Sequence, residues 1–347
     1  MTTRSYIGRR LPRLEDQRLL RGEGRFTDDW TLANESFAAF VRSPHAHARI
    51  LGLHTTAAAL APGVLAVLSG ADYQADGGVG IAHLPVPADV VDYQRPAFGS
   101  FNGSVPLDEP QPPLATERVR YVGEAVAIVV ATSRAAAIDA AGIVEVDYQP
   151  LPAVSDVVEA IGDDAPRVGP AGSSSNTCLD AMFGDQPAVE QAIRSADLVV
   201  ERAFRVQRVA NAQLEPRAVV AEYDPDTESY VMVAGSQGVV RQRAALAAVL
   251  HLPVDHLRVI SPDVGGGFGP RTALYPEQVA VTWAARRVGR PVRWTGDRTE
   301  AFLADFQGRD AQARARLALT ADGRVLALDA DFLFNIGGYT GSYVPLN

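Results

Sequence analysis

The stretch best suited to chemistry is Val264-Gly265-Gly266-Gly267-Phe268-Gly269, set between an apolar strand and a helix. Residues without a Cβ let backbone N–H groups come close to a phosphate or an oxygen ligand. The segment lacks the Lys-Ser/Thr of a P-loop, and its glycine spacing differs from the dinucleotide fingerprint. Taken alone it reads as a tight turn about as well as an anion cradle. Phe268 within the bend suggests a ring that walls a cavity, with a core anchor as the alternative. Gln237, in Gly235-Ser236-Gln237-Gly238, stands at another strand-to-helix junction. An amide there can hydrogen-bond a ligand, or it can be a plain cap or surface residue.

Other chemistry-bearing residues read more simply. His45 and His47 in Ser43-Pro44-His45-Ala46-His47 would share a face on a strand, but no Cys or carboxylate accompanies them. Two ligands do not close a metal site, so structural or partner-facing histidines are the better reading. Glu215-Pro216-Arg217 is polar at an otherwise apolar strand start, which a buried ion pair or loop anchor explains. Cys178 is the only cysteine, which excludes an internal disulfide, a Cys-based zinc site and an iron–sulfur cluster held by this chain alone. It reads as an apolar filler or loop residue. No Ser–His–Asp, Cys–His or paired-carboxylate arrangement can be argued.

These residues need elements to position them. Ser36–Arg42 and the run Ala125–Ala131 are apolar enough for buried strands, and Val64–Leu68 reads as an apolar strand. Ser133 caps a short Ala-rich helix over 134–141, and Val144, Val146 and Tyr148 alternate with acids as a half-buried strand. A helix opens at Asp185 and Pro187, with Val189, Ala192, Ile193 and Ala196 on one face. Strands follow at 198–206, 217–223 and Tyr230–Ala234. The next helix carries Val239, Leu246, Val249 and Leu250 as its apolar stripe, opposed by Arg241 and Gln242. Strand Leu257–Ile260 leads into the glycine bend. Helix 276–288 has Pro276 and Glu277 in its first turn, Arg286 and Arg287 in its last, and Gly289 beyond. A hairpin, Ala313–Thr320 with Val325–Phe332, turns at Asp322-Gly323. The Gly- and Pro-rich stretch from Gly77 to Pro113 reads as a long excursion of the kind used for function or partners. The sum is an α+β chain.

Composition narrows the class. The chain has 347 residues, 47% of them hydrophobic and 21% charged, which fits a folded chain of two or three domains. Its net charge is −9, with no lysine anywhere, so it lacks the electrostatic footprint of a general nucleic-acid binder. No apolar run reaches membrane-spanning length, the first residues show no secretory signal, and a reducing cytoplasm suits the single cysteine.

In combination, the motifs resemble the molybdenum-binding large subunit of the xanthine dehydrogenase, aldehyde oxidase and carbon monoxide dehydrogenase family. The resemblance rests on Gly8–Asp16, Gly22–Asp29, Val41–Ala48, Val119–Ala127, Glu145–Tyr148, Leu214–Arg217, Gly265–Gly269, Tyr275–Val279, Trp283–Arg287 and Gly289–Val292, all in the family's order.

That resemblance implies an N-terminal arm over 1–17, an α/β-hammerhead domain over 18–153, and over 154–347 a first molybdopterin-binding domain that is incomplete against the family. It makes Gly266, Gly267, Phe268 and Gly269 cofactor-lining residues. It also places Gln237 where the family has a glutamine donating to an oxo ligand of molybdenum. It implies a molybdenum–molybdopterin cofactor, in the cytosine dinucleotide form, and no direct protein ligand to the metal. Iron–sulfur and FAD partners would sit on other chains. The implied reaction is hydroxylation of an aldehyde or an aromatic N-heterocycle with water as oxygen source. Purine-hydroxylating members carry a glutamate where Thr272 stands, which disfavours xanthine. The family's second molybdopterin-binding domain and its glutamate base would fall beyond Val344-Pro345-Leu346-Asn347, so a second chain or further sequence is expected to supply them. A non-catalytic fragment or paralogue that only binds or scaffolds is the alternative.

Overall fold

The computed structural model describes residues 6–82 and 109–340, apart from 171, 179, 181 and 183. Most of the expected excursion over Gly77–Pro113, and the segment Val344–Asn347, lie outside the described residues. The first half of the chain runs α1 (Asp16–Leu20), β1 (Ser36–Arg42), β2 (Ala48–His54), α2 (Thr56–Ala59), β3 (Val64–Ser69) and α3 (Gly70–Ala75). It continues with β4 (Arg118–Val119), β5 (Ala125–Ala131), α4 (Arg134–Ala141), β6 (Glu145–Pro150), α5 (Val157–Ala160) and α6 (Gln186–Ser195). Then come β7 (Leu198–Val209), β8 (Ala218–Asp224), β9 (Ser229–Ala234), α7 (Val239–Val249) and β10 (Leu257–Ile260). Last are α8 (Pro276–Val288), β11 (Val292–Thr295), α9 (Arg298–Ala304), β12 (Gly308–Leu319) and β13 (Val325–Phe334).

Of the strands that read as apolar runs, β1 and β5 are covered on both faces, whereas β3, at the sheet edge, is only half-buried and leaves Leu65 exposed. All of β5 is buried. Alternate residues of the β1–β5 pair serve two cores: Ala38, Phe40, Ile128 and Val130 face α8, while Ala39, Ala131 and Ala137 of α4 pack together. The sheet holding them has seven strands in the order β10-β9-β8-β11-β1-β5-β3. It draws strands from both sides of residue 153, joined where Ser36 and Phe37 run parallel to Val292 and Arg293. Two three-stranded sheets complete the fold, β13-β12-β7 and β4-β2-β6. Among the described residues no helix is long and apolar enough to cross a membrane.

Buried charges cross the same seam. Arg42 pairs with Glu277 at 3.0 Å and Glu300 at 2.8 Å, and Arg217 pairs with Glu277 and with Asp305 at 2.5 Å. Glu277, expected as a helix-dipole residue of the first turn, is therefore also the hub of a buried ion cluster.

Several elements carry little signal in the sequence. In β2 the register shifts between Ile50 and Gly52, pushing Leu51 outward and breaking the period-two alternation. The short helices α3 and α9 span too few turns to show a 3.6-residue period. Their capping boxes, Ser69 with Asp72 and Asp297 with Glu300, are their signal. Gln242 is a correction: it is 1% exposed, and its Nε2 donates to the carbonyls of Arg271 and Ala273 at 3.1 and 2.9 Å. It sits on the buried side of α7 because carbonyls of the segment before α8 need donors there.

Candidate functional site

The parallel neighbours β9 and β10 both end at one edge of the large sheet, pairing from Tyr230–Leu257 to Val233–Ile260. Each then enters a loop that leads into a helix. The C-terminal ends of adjacent parallel strands are where sheets of this kind hold ligands. The Ser236 N–H donates to Ser261 Oγ at 3.0 Å, tying the two loops together at their start.

This brings Gln237 and the glycine bend into contact. The Gly269 N–H donates to Gln237 Oε1 at 2.8 Å, and the Gln237 N–H donates to the Arg271 carbonyl at 3.1 Å. With Oε1 held as the acceptor, Nε2 is the free end of the amide and can only donate. A Cβ on Gly267 would collide with the Gln237 side chain. Gly266 and Gly269 have φ of 110° and 102°, which only glycine adopts without strain.

Phe268 is the surprise. Its φ is 52°, an outlier for a bulky side chain, and its ring is 71% exposed. It is no core anchor, and strain of this kind gathers at sites of function.

The bend is braced from beneath. Glu215 Oε2 accepts from the Gly265 N–H at 2.7 Å and from Arg271 Nη1 at 3.1 Å, and Arg271 Nη2 donates to the Glu215 carbonyl. Gln213 Nε2 donates to the Gly267 carbonyl at 3.3 Å. From the N-terminal segment, Arg18 pairs with Asp263, which also accepts from the Arg25 N–H at 2.8 Å. Those two donors hold the Asp263 carboxyl down at about 2. The expectation that Glu215-Pro216-Arg217 forms buried ion pairs or a loop anchor is met twice over, by Glu215 at the bend and Arg217 in the ion cluster.

What is left over is a set of donors. Among the described residues, the N–H groups of Gly266, Gly267 and Phe268 and the Nε2 of Gln237 have no hydrogen-bond partner. Such a cluster suits an oxygen-rich, anionic group. Beneath the bend the cavity lined by Arg217, Gly235, Gln242 and Arg271 holds only about 10 Å³, room for one water at most. The open side of these donors is therefore the outer one, where Phe268 projects.

The remaining candidates lie elsewhere. His45 and His47 occupy the turn between β1 and β2 rather than a strand, so the shared-face geometry does not arise. His47 Nδ1 meets the Pro152 carbonyl at 2.8 Å, and His45 packs edge-on against Tyr148. Among the described residues no cluster of His, Cys, Asp and Glu could hold a metal ion. Cys178 is a half-buried free thiol. Sequence reasoning passed over Arg271, Gln213 and Asp263 as functional residues. Their signal was faint: polar residues flanking the bend, or one loop away from it.

Comparison with known proteins gives this geometry a setting. The model of the molybdopterin cofactor-binding domain matches residues 171–346, and that of the aldehyde oxidase and xanthine dehydrogenase a/b hammerhead domain matches residues 21–152. The nicotine 6-hydroxylase large subunit of Paenarthrobacter nicotinovorans is 34% identical over 97% of this chain and 39% of its own length. The carbon monoxide dehydrogenase large chain of Afipia carboxidovorans is 32% identical over 98% of this chain and 40% of its own. Quinoline 2-oxidoreductase from Pseudomonas putida 86 superposes with a TM-score of 0.81 at 33% identity, over 94% of this chain and 39% of that one. The chain thus spans about two fifths of the length of these relatives. With a strand-end bend rich in unpartnered donors and both domain models matched in order, the chain belongs to the molybdopterin-binding large subunits of the xanthine dehydrogenase, aldehyde oxidase and carbon monoxide dehydrogenase family.

Proposed function

We propose that this chain is the cofactor-binding component of a cytoplasmic molybdenum hydroxylase acting on an aromatic N-heterocycle or an aldehyde. Relatives named for nicotine and quinoline favour the heterocycle. The observation that carries the reading is the donor set on one bend: the N–H groups of Gly266, Gly267 and Phe268 beside Gln237 Nε2. These residues and Gly269 would hold the oxygen-bearing face of a molybdenum–molybdopterin group, in its cytosine dinucleotide form. When bound, that group supplies two-electron oxidation of a substrate carbon with water as oxygen source.

The chain's own part is positioning. Gln237 orients a neighbouring oxygen because its amide is fixed at one end by Gly269. Phe268, held in a strained conformation, offers an apolar wall that keeps water from the reacting carbon. The proton-accepting base would come from outside this set, since Glu215 and Asp263 are both engaged by arginines. A second molybdopterin-binding chain, or further sequence, would close the open side. Iron–sulfur and FAD subunits would carry electrons away, in keeping with the single cysteine.

The test is to purify the chain with its coexpressed genomic neighbours and assay it with quinoline in ¹⁸O-labelled water. We expect about one molybdenum per chain and label in the product. A folded complex without molybdenum would refute the reading.

A further inference from the structure

We infer that Glu215 and Arg271 form a positioning clamp that holds the glycine bend and Gln237 in one register for the cofactor. The inference rests on the cofactor reading above but stands on its own geometry. Glu215 grips the start of the bend twice: its Oε2 accepts from the Gly265 N–H at 2.7 Å, and its own N–H donates to the Gly265 carbonyl at 3.3 Å. Arg271 lies two residues past the end of the bend, and its guanidinium reaches back to both the side chain and the carbonyl of Glu215. Closing this ring across the bend fixes its span. The Arg271 carbonyl then receives the Gln237 N–H at 3.1 Å, so the same residue sets where the amide begins. Gln237 returns the contact through Oε1 to Gly269.

The surroundings leave the clamp little freedom. Arg271 is 2% exposed, and burial lowers its pKa, offset only in part by the neighbouring Glu215 and Asp305 charges. A Cβ on Gly235 would collide with Arg271 Nη1, and one on Gly265 would collide with the Glu215 side chain. The chain therefore carries glycine where the pair needs space. An arginine serves where a lysine would not, because a fork can span a carboxylate oxygen and a carbonyl together.

The experiment compares wild-type full chain with Glu215→Gln, Arg271→Met, Arg271→Lys and Gly235→Ala. Gly235→Ala is a steric probe, since Gly235 does not have a positive φ and the added methyl strikes only Arg271. Arg120→Met is the comparison, because it removes a partly buried ion pair with Glu109 that shares no partner with the bend. The readouts are residue-resolved amide exchange and molybdenum bound per chain. Losing a charge-assisted hydrogen bond should speed exchange at Gly265, Gly269 and Gln237 about tenfold or more. Arg271→Lys should fall between wild type and Arg271→Met. Amides of β5 should be unchanged, and bound molybdenum should drop in step with the bend. Arg120→Met should lose stability without this local signature.

Unchanged exchange at those amides in folded Arg271→Met or Gly235→Ala would overturn the clamp. If Arg271→Met fails to fold, Gly235→Ala and Arg271→Lys decide. A wild-type chain that shows the exchange pattern but, purified with its coexpressed genomic neighbours, never holds molybdenum would leave the clamp standing and sink the cofactor reading instead.

Discussion

Gln237 and Phe268 do opposite things with one piece of backbone. The amide is restrained at its oxygen and free at its nitrogen, while the ring is thrust outward by a backbone angle that phenylalanine seldom adopts. Gln237→Ala should reduce molybdenum retention or turnover about 10- to 100-fold, the usual cost of removing a group that orients a metal's surroundings. Its effect on stability should stay at or below about 1 kcal/mol, because one exposed hydrogen bond is lost. Gly267→Ala should give the same functional loss by another route: the new methyl displaces the amide, and Gly267 has no positive φ to strain. Metal analysis with thermal melts would check both, and a Gly267→Ala chain with full molybdenum would contradict the contact.

At the scale of elements, the join between the β4–β5 link and the segment after β13 carries a pH signature. Glu124 is 2% exposed, and burial raises its carboxyl to about 7 against hydrogen bonds from the Tyr339 hydroxyl and the Arg120 N–H. Between about pH 4.5 and 7 the folded chain keeps this proton while the unfolded chain has lost it. Glu124 therefore costs stability progressively as pH rises through that window. Glu277 runs the other way. Burial opposes its charge, but Arg217 and Arg42 outweigh burial and hold it down at about 2, so its contribution is present above the unfolded carboxylate range and lost in acid. The expected outcome is that the Tm of Glu124→Gln relative to wild type climbs between pH 5 and 7.5. A difference that stays flat over that range in calorimetry would exclude the assignment.

For the whole molecule, one face of the β13-β12-β7 sheet is the feature that asks for a neighbour. Pairing puts Phe204, Ala313 and Phe332 in one row and Val200, Leu317 and Leu328 in another on the same side. Phe204, Leu328 and Phe332 are 53%, 60% and 63% exposed, and Phe332 stacks on Phe334 at 5.9 Å. A contiguous apolar face of this kind marks an interaction surface. The chain by itself should bind apolar dyes and self-associate. Phe204→Ser with Phe332→Ser should cut dye binding sharply while moving stability by no more than about 0.5 kcal/mol per site. Dye titration and sedimentation would check this; a large loss of Tm would show the face to be core.

The sequence by itself determined the type of most elements and the identity of the bend. Short apolar runs bounded by turn residues read as strands, capped Ala-rich segments read as short helices, and four glycines around Phe268 read as a bend, either a tight turn or an anion cradle. It also carried the family, because motif order survives even where each motif is weak. The tertiary structure alone decided which polar residues serve the bend. Glu215 and Arg271 are 56 residues apart along the chain, and Arg18 and Asp263 are 245 apart. No local period links such pairs; only the parallel pairing of β9 with β10 and the passage of the N-terminal segment past the bend bring them together. The same holds for the sheet that runs across residue 153, for the burial of Gln242 and for the turn that holds His45 and His47. Each follows from long-range packing, which local propensity does not encode.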